Sequence, residues 1–353
     1  MISVEQPNRS ERTSPSIRQH SLLSDGWART LRYLRVSVTD RCNYNCKYCM
    51  PADLWAPVDR AKLLTFKEIA RVCAILAPHG VEKVRITGGE PLVRKNLVQL
   101  IEQLAAIPEI HEIAMTTNGH LLPQFAASLR AAGLRRLTVS LDTFHEDRFA
   151  QVTSGGDLTH VLRGLEAATS VGFDDIGINV VGLRDVNQGD LVEIAARCWS
   201  NGWRPRFIEL MPIGGLAYQS DSRRLTQETM LDELSTSFDL EPTELGRSAT
   251  SGPARYYRVS SGPFAGELLG TISPMSDAHF CGDCNRARLT AQGGFRACLA
   301  NDEEVSVLHM LRDGASDDEI CNALRVALGD KLEGHRMTDG TFVPLSVMTG
   351  IGG

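Results

Sequence analysis

The sequence predicts an α/β fold, a partial (βα)6 TIM-type barrel whose open side is closed by a C-terminal region. From about residue 31, six short runs rich in Val, Ile, Leu or Thr alternate with longer helical patterns, which implies a parallel sheet with right-handed crossovers. Groups of cysteine, glycine and polar residues fall directly after the predicted strands. This favours a barrel over an open doubly wound sheet, because barrel loops build active sites at the carboxyl ends of the strands.

The β-rich runs and helical patterns divide the chain into three parts. The predicted strands cover residues 33–38, 83–87, 111–116, 136–140, 176–182 and 205–210. The predicted helices cover residues 65–79, 97–106, 121–132, 158–171 and 191–200. The first helix has the clearest limits, with a Thr65/Glu68 capping box and Gly80 as its stop. We expect residues 1–27 to be a disordered leader, 28–220 the barrel, and 221–353 a C-terminal region.

Composition and charge exclude several classes of protein. The 353 residues are 42% hydrophobic and 23% charged, which is ordinary globular usage. No apolar stretch reaches the roughly 18 residues that a membrane span needs. The net charge of −6 disfavours a nucleic-acid partner. The polar first 27 residues lack the apolar run of a signal peptide, so we expect a cytoplasmic protein whose clustered cysteines bind metal or carry out redox chemistry.

The first cysteine group directly follows the first predicted strand. Cys42, Cys46 and Cys49 have the spacing C-x3-C-x2-C. Structural zinc takes four ligands, and no nearby histidine or fourth cysteine completes a set. An iron–sulfur cubane usually takes four cysteines, so three leave one iron open to bind a ligand. This spacing favours a cluster with an open iron over other metal or redox uses.

This motif, with Tyr48 before its last cysteine, resembles the radical S-adenosylmethionine superfamily. The run Gly88-Gly89-Glu90-Pro91 follows the second strand and resembles the segment that binds the methionine amino group in that superfamily. The resemblance implies that the open iron chelates S-adenosylmethionine. The residues that it implies for contacts with S-adenosylmethionine are Tyr48, Gly89, Ser140 and Met211.

The second cysteine group lies near the C-terminus. Cys281, Cys284 and Cys298 have the spacing C-x2-C-x13-C, again three thiolates without an obvious fourth. A second cluster with an open iron explains the missing ligand, because a substrate atom could take that position. A Cys3His zinc site that includes His279 stays open as an alternative. The remaining cysteines lie in helical patterns and are interpreted as small core residues: Cys73, Cys198 and Cys321.

The second group and the chain end together resemble one family. Residues 280–290 read FCGDCNRARLT, Cys298-Leu299 follows, and the chain ends in a double glycine. These features resemble the MoaA family, the GTP 3′,8-cyclases of molybdenum cofactor biosynthesis. The resemblance implies two 4Fe-4S clusters and S-adenosylmethionine as cofactors. It also implies an electron donor such as flavodoxin or ferredoxin, a downstream cyclic pyranopterin synthase, and a homodimer.

The same resemblance implies a reaction and a set of substrate contacts. A 5′-deoxyadenosyl radical would take hydrogen from the ribose 3′ carbon of GTP, and that carbon would then attack carbon 8 of guanine. An acidic protein must bind the triphosphate through local arginines, whose planar fork suits phosphate. The substrate-binding residues that this interpretation names are Arg35, Arg85, Thr116, Arg206, Arg286, Ala287 and Arg288.

One position departs from the family pattern. The family usually has a lysine that contacts GTP where this chain has Gly177. We expect weaker GTP binding than in lysine-bearing relatives, unless Arg184 or Arg204 substitutes for the lysine. Two alternatives to the cyclase stay open, namely another radical enzyme with an auxiliary cluster and a non-enzymatic zinc protein.

Overall fold

The computed structural model describes residues 21–50, 58–216, 220–245, 248–338, 342 and 348–352. The described strands are β1 Tyr33–Ser37, β2 Lys83–Thr87, β3 Glu112–Thr117, β4 Arg136–Ser140, β5 Asp175–Gly182, β6 Arg204–Glu209, β7 Leu240–Thr243, β8 Arg255–Val259, β9 Leu268–Ile272, β10 Arg286–Leu289, β11 Gly294–Arg296 and β12 Val305–Ser306. The described α-helices are α1 Phe66–Leu76, α2 Leu97–Ala105, α3 Leu122–Ala131, α4 Glu146–Thr153, α5 Leu158–Ser170, α6 Leu191–Ser200, α7 Ser220–Arg223, α8 Gln227–Ser235, α9 Val307–Arg312, α10 Asp317–Gly329 and α11 Met348–Ile351. Residues 1–20 of the predicted leader and Gly353 of the tail lie outside the described residues.

Strands β1 to β6 lie side by side in chain order, and each pairs in parallel with the next. The predicted strand ends agree with the observed ones to within one residue. A doubly wound sheet would reverse its strand order at a switch point, and this sheet does not. The partial (βα)6 barrel is therefore confirmed, with an open side between β1 and β6.

The C-terminal region extends both edges of this sheet. Strand β9 pairs in parallel with β6 and begins the antiparallel run β9-β8-β7. Strand β10 pairs in parallel with β1 and continues into β11 and β12. The result is one sheet of 12 strands. Residues 273–285 connect β9 at one edge to β10 at the other, so the chain crosses the open side of the barrel there.

Residues 21–27 differ from the expected disordered leader. Leu23 is fully buried and Asp25 is 7% exposed. The Leu23 amide donates to the His79 carbonyl at 3.0 Å, and its own carbonyl accepts from the Leu31 amide at 2.8 Å. The sequence around Leu23 is too polar to predict this burial. A single leucine that packs against a helix end far along the chain produces no periodic pattern. The expectation of disorder does not hold for these seven residues.

The helices follow their local signals. Helix α1 begins at the predicted capping box, where the Thr65 side chain accepts from the Glu68 amide and the Glu68 side chain accepts from the Thr65 amide. Helix α4 was not predicted, since its 8 residues include few apolar ones and show no clear helical stripe. The cysteines assigned to the core are buried there: Cys73, Cys198 and Cys321. Within the described part of the chain, no helix is long and apolar enough to cross a membrane.

Candidate active site

A cavity of about 580 Å³ lies inside the barrel, and both cysteine groups contribute to its wall. Every residue that the sequence analysis assigned to a site also lines this cavity. Those residues are Arg35, Cys42, Cys46, Tyr48, Cys49, Arg85, Gly89, Thr116, Ser140, Arg206, Met211, Cys281, Cys284, Arg286, Ala287, Arg288 and Cys298. The fold therefore brings together residues that lie up to 263 positions apart, from Arg35 to Cys298.

The loop that carries the first cysteine group is fixed by its neighbours. Its backbone rests on the end of helix α4, where the Asn45 amide donates to the Thr153 carbonyl at 3.2 Å. The Tyr48 hydroxyl donates to the Asp142 carboxylate at 2.9 Å. Gly214 packs against the other side of the loop, so closely that a Cβ there would lie 2.5 Å from the Tyr48 carbonyl oxygen. The three thiols are thereby held at one end of the cavity.

The first three thiols form a donor set that suits a metal cluster. Burial raises the pKa of Cys42 to about 11 and that of Cys49 to about 12. Burial also raises the pKa of Cys46, and charge on Cys49 raises it further. The thiols are therefore close enough to influence one another, and without metal they stay protonated at neutral pH. A bound cluster would release these protons, because only thiolates ligate metal.

The second group has a different electrostatic setting. Cys281 and Cys284 lie on the crossing from β9 to β10, and Cys298 follows β11. Burial raises the pKa of Cys281. At Cys284 burial acts in the same direction, but Arg286 and Lys331 outweigh it and lower the pKa to about 6. Cys284 is therefore largely a thiolate at neutral pH, ready to ligate a metal.

The zinc alternative gains no support from the geometry. Among the described residues, no three His, Cys, Asp or Glu side chains surround a single ion position. His279 is exposed, and its backbone amide donates to Asp277.

The glycine motif after β2 is needed for close backbone packing. A Cβ on Gly89 would lie 2.4 Å from the Arg41 carbonyl oxygen, and one on Gly88 would lie 2.7 Å from that of Thr39. The Glu90 carboxylate faces inward, where it accepts from the Leu92 amide, the Asn118 amide and the Thr117 hydroxyl. This carboxylate, which belongs to the segment that resembles the methionine-binding motif, therefore holds the loop.

Guanidinium groups from adjacent strands line the barrel wall. Arg35 on β1 stands opposite Arg85 on β2 and Arg288 on β10. Arg85 donates to the Thr138 hydroxyl at 2.7 Å and to the Thr116 hydroxyl at 3.2 Å. Burial lowers the pKa of Arg288, and the charge of Arg35 lowers it further. Buried cations that repel one another favour an anionic ligand, and a nucleotide triphosphate has that charge.

Gly177 opens a space that Arg206 fills. A Cβ on Gly177 would lie 1.8 Å from Nη2 of Arg206 and 2.6 Å from its Cζ. Arg206 donates from the same Nη2 to the Thr138 hydroxyl at 2.7 Å. Neither substitute suggested from sequence provides the atoms nearest to this position, although Arg204 is the register partner of Gly177 on β6. Arg204 instead faces Asp175 at 3.4 Å, and Arg184 is exposed.

Tyr33 is a cavity residue that the sequence analysis missed. Its hydroxyl accepts from Arg85 at 2.5 Å and from Arg35 at 3.4 Å. The Lys83 ammonium stands 5.0 Å from its ring centre and pairs with Glu112 at 2.6 Å. Burial raises the pKa of Tyr33, but the three cations outweigh it and lower the pKa to about 7. The alternation of β1, which gives Tyr33 and Arg35 the same face, was the signal that could have found it.

The end of the chain also reaches this wall. The Gly352 carbonyl accepts from Arg35 at 3.3 Å and also from Arg288. A Cβ on Gly352 would lie 2.4 Å from the Thr87 hydroxyl, and its φ of +74° favours glycine. The first of the two tail glycines therefore packs in the cavity wall beside two of the arginines.

These features define a radical S-adenosylmethionine type of protein with a second cysteine site. The model for the radical SAM superfamily matches residues 36–198, and the model for molybdenum cofactor synthesis C matches residues 204–337. The solved structure of SuiB from Streptococcus suis bound to S-adenosylmethionine has a TM-score of 0.57 at 14% identity. The match covers 84% of this chain and 68% of that one, and it concerns the fold alone.

More similar relatives specify the family. The GTP 3′,8-cyclase of Pelotomaculum thermopropionicum is 40% identical over 319 residues, which are 90% of this chain and 96% of that protein. The GTP 3′,8-cyclase of Moorella thermoacetica is 40% identical over 331 residues, 94% of this chain and 100% of that protein. The chain belongs to the GTP 3′,8-cyclase family.

Proposed function

We propose that this protein converts GTP to 3′,8-cyclo-7,8-dihydro-GTP with S-adenosylmethionine, as the first step of molybdenum cofactor biosynthesis. The observation that carries the proposal is the convergence of two cysteine triples and several arginines on one cavity. The names of the relatives support the substrate. The match to the molybdenum cofactor synthesis model supports the pathway.

The first cysteine group would hold a 4Fe-4S cluster with one open iron. When bound and reduced, this cluster would supply the electron that cleaves S-adenosylmethionine and yields the carbon radical that takes a hydrogen atom from the ribose 3′ carbon. The chain's own part is to position the cofactor. The Tyr48–Asp142 hydrogen bond at 2.9 Å fixes the loop, and Gly89 lets the backbone after β2 pack closely against the Arg41 carbonyl. Ser140 and Met211 follow along the same wall.

The second cysteine group would hold another 4Fe-4S cluster, whose open iron binds the guanine. Arg35, Arg85, Arg206 and Thr116, with residues 286–288, would bind the rest of GTP. Fixed cations on the buried wall of a cavity attract phosphate more strongly than exposed ones. They also hold the ribose still, which keeps its 3′ carbon close to carbon 8 of the base.

The conversion consumes one S-adenosylmethionine, two electrons and one proton for each GTP. The first electron would be used to cleave the bond between the 5′ carbon and the sulfonium sulfur of S-adenosylmethionine. The second electron and the proton complete the dihydropurine after the new carbon–carbon bond has formed. The electrons would come from an external donor of the flavodoxin or ferredoxin type.

The test is an anaerobic turnover assay. Protein reconstituted with iron and sulfide receives S-adenosylmethionine and dithionite, and 5′-deoxyadenosine and the cyclised nucleotide are measured with and without GTP. We expect both products to depend on GTP, and Cys281→Ala to abolish the cyclised nucleotide. Deoxyadenosine that forms equally without GTP would point to another substrate, and none from cluster-loaded protein would refute the enzyme.

A further inference from the structure

A buried lysine touches the second cysteine group. Lys331 follows helix α10 and is 5% exposed. Its Nζ lies 3.3 Å from the Cys284 Sγ, 2.8 Å from the Arg286 carbonyl oxygen and 3.5 Å from the Cys284 carbonyl oxygen. All three hydrogen bonds that Nζ donates within the described residues therefore go to Cys284 or to Arg286, the first residue of β10.

Residues from the N-terminal segment hold this lysine in place. The Trp27 indole donates to the Lys331 carbonyl at 3.2 Å. Arg29 donates to the next two carbonyls, those of residues 332 and 333, at 2.6 Å each, and to the Cys281 carbonyl at 2.8 Å. Asp25 fixes Arg29 through an ion pair of 2.6 Å. Residues 25–29 thus hold both the backbone at Lys331 and the loop that carries Cys281. This keeps the Lys331 ammonium next to the Cys284 sulfur.

The two cysteine groups differ in this respect. At the second group, Arg286 adds a guanidinium 3.6 Å from the Cys284 sulfur, so that two cations contact one thiolate. At the first group, the described donors to the Cys42 sulfur are the Tyr44 amide at 3.4 Å and the Asn118 side-chain amide at 3.9 Å. Those donors are neutral. Two sites of the same ligand chemistry therefore have different fixed charge beside the sulfur.

We propose that Lys331 is a positioning residue that sets the reduction potential of the second iron–sulfur cluster through its contact with the Cys284 sulfur. The inference rests on the proposed function, because it requires that cluster. Reduction adds a negative charge to the buried cluster, and a fixed cation in contact stabilises that state most. Lys331 therefore raises the potential at which the second cluster accepts an electron. The anionic cluster in turn compensates the cost of burying the ammonium.

The experiment measures that potential directly in the full-length chain. Cys42, Cys46 and Cys49 are replaced by alanine, so that only the second cluster is present. Into this background we introduce Lys331→Met, which removes the charge, and Lys331→Arg, which keeps it. Lys67→Met, at an exposed position on helix α1, is the control for the loss of one positive charge. Potentiometric titration followed by electron paramagnetic resonance gives the potential, and iron and sulfide analysis gives the cluster content.

We expect Lys331→Met to shift the potential downward, Lys331→Arg to retain most of the original value, and Lys67→Met to leave it unchanged. If the methionine protein assembles no cluster, Lys331→Gln replaces it as the neutral variant in the comparison with arginine. If the neutral and the cationic variants at residue 331 both contain the cluster and have equal potentials, the inference about Lys331 is wrong, while the proposed function is unaffected. A parent protein that binds no second cluster would overturn the proposed function as well, and the iron analysis distinguishes the two results.

Discussion

Replacement of Gly177 by alanine should weaken GTP binding through Arg206. The new Cβ would stand 1.8 Å from Nη2 and 2.9 Å from Nε of that arginine, so the guanidinium has to move. It would then lose its 2.7 Å hydrogen bond to Thr138 and its direction into the cavity. The contact that Arg206 is proposed to make with GTP would then be lost, and loss of one hydrogen bond to a charged group costs about 1.5–3 kcal/mol. The expected result is a roughly ten- to hundredfold weaker affinity for GTP.

The assay is equilibrium binding of GTP to the anaerobically reconstituted protein, by calorimetry or nucleotide retention. Gly329→Ala is the matched control, because a Cβ there would meet nothing within 4 Å. The sharper test is a double-mutant cycle with Arg206→Ala. If Gly177→Ala acts by displacing Arg206, it should have little further effect once that side chain is gone. Additive losses, or an unchanged affinity in Gly177→Ala, would refute the reasoning.

Three further results are expected. In iron-free protein, Tyr33→Phe should remove a gain in the free energy of unfolding between about pH 7 and pH 10. Its folded pKa of about 7 lies below the unfolded value of 10.0, so the phenolate adds up to about 4 kcal/mol as pH rises; a pH-independent difference from the parent would contradict this. Gly89→Ala should abolish S-adenosylmethionine binding, measured by calorimetry, because its Cβ would press on the Arg41 carbonyl; retained binding would count against it. Glu209→Gln should lower stability in denaturant titration by about 2 kcal/mol or more, since the buried carboxylate accepts from the amides of Met275 and Ser276; an unchanged midpoint would disprove that.

The sequence predicted the barrel well because its signals are local. Strand β2 and helix α1 are defined by residues within one window: a β-branched run in the first case, and a capping box with an apolar stripe in the second. Parallel pairing of successive units then follows from the alternation itself. The cysteine groups were equally visible, since each is defined by spacing along the chain.

The C-terminal strands were missed because their partners are distant. Strand β10 pairs with β1 through Arg288 and Arg35, and strand β9 pairs with β6. Neither strand is long enough to show its own alternation clearly. The structural reason for a glycine at position 177 could not be predicted from the sequence either. A missing lysine indicates only a lost contact, whereas the structure puts the Arg206 guanidinium in the space that the glycine leaves.

The added strands explain why two cysteine groups meet in one cavity. Because β9 adds to the β6 edge and β10 to the β1 edge, the connecting residues 273–285 have to cross the open side of the barrel. Glu209, at the end of β6, fixes the beginning of this crossing by accepting from the Met275 amide at 2.9 Å. Cys281 and Cys284 lie farther along the same crossing, on the wall of the cavity that the first cysteine group also lines. The residues that cross the open side of the barrel therefore also place Cys281 and Cys284 in the cavity wall. If these cysteines bind the proposed cluster, a substitution that loosens the crossing should lower the iron content before it affects the six-stranded core.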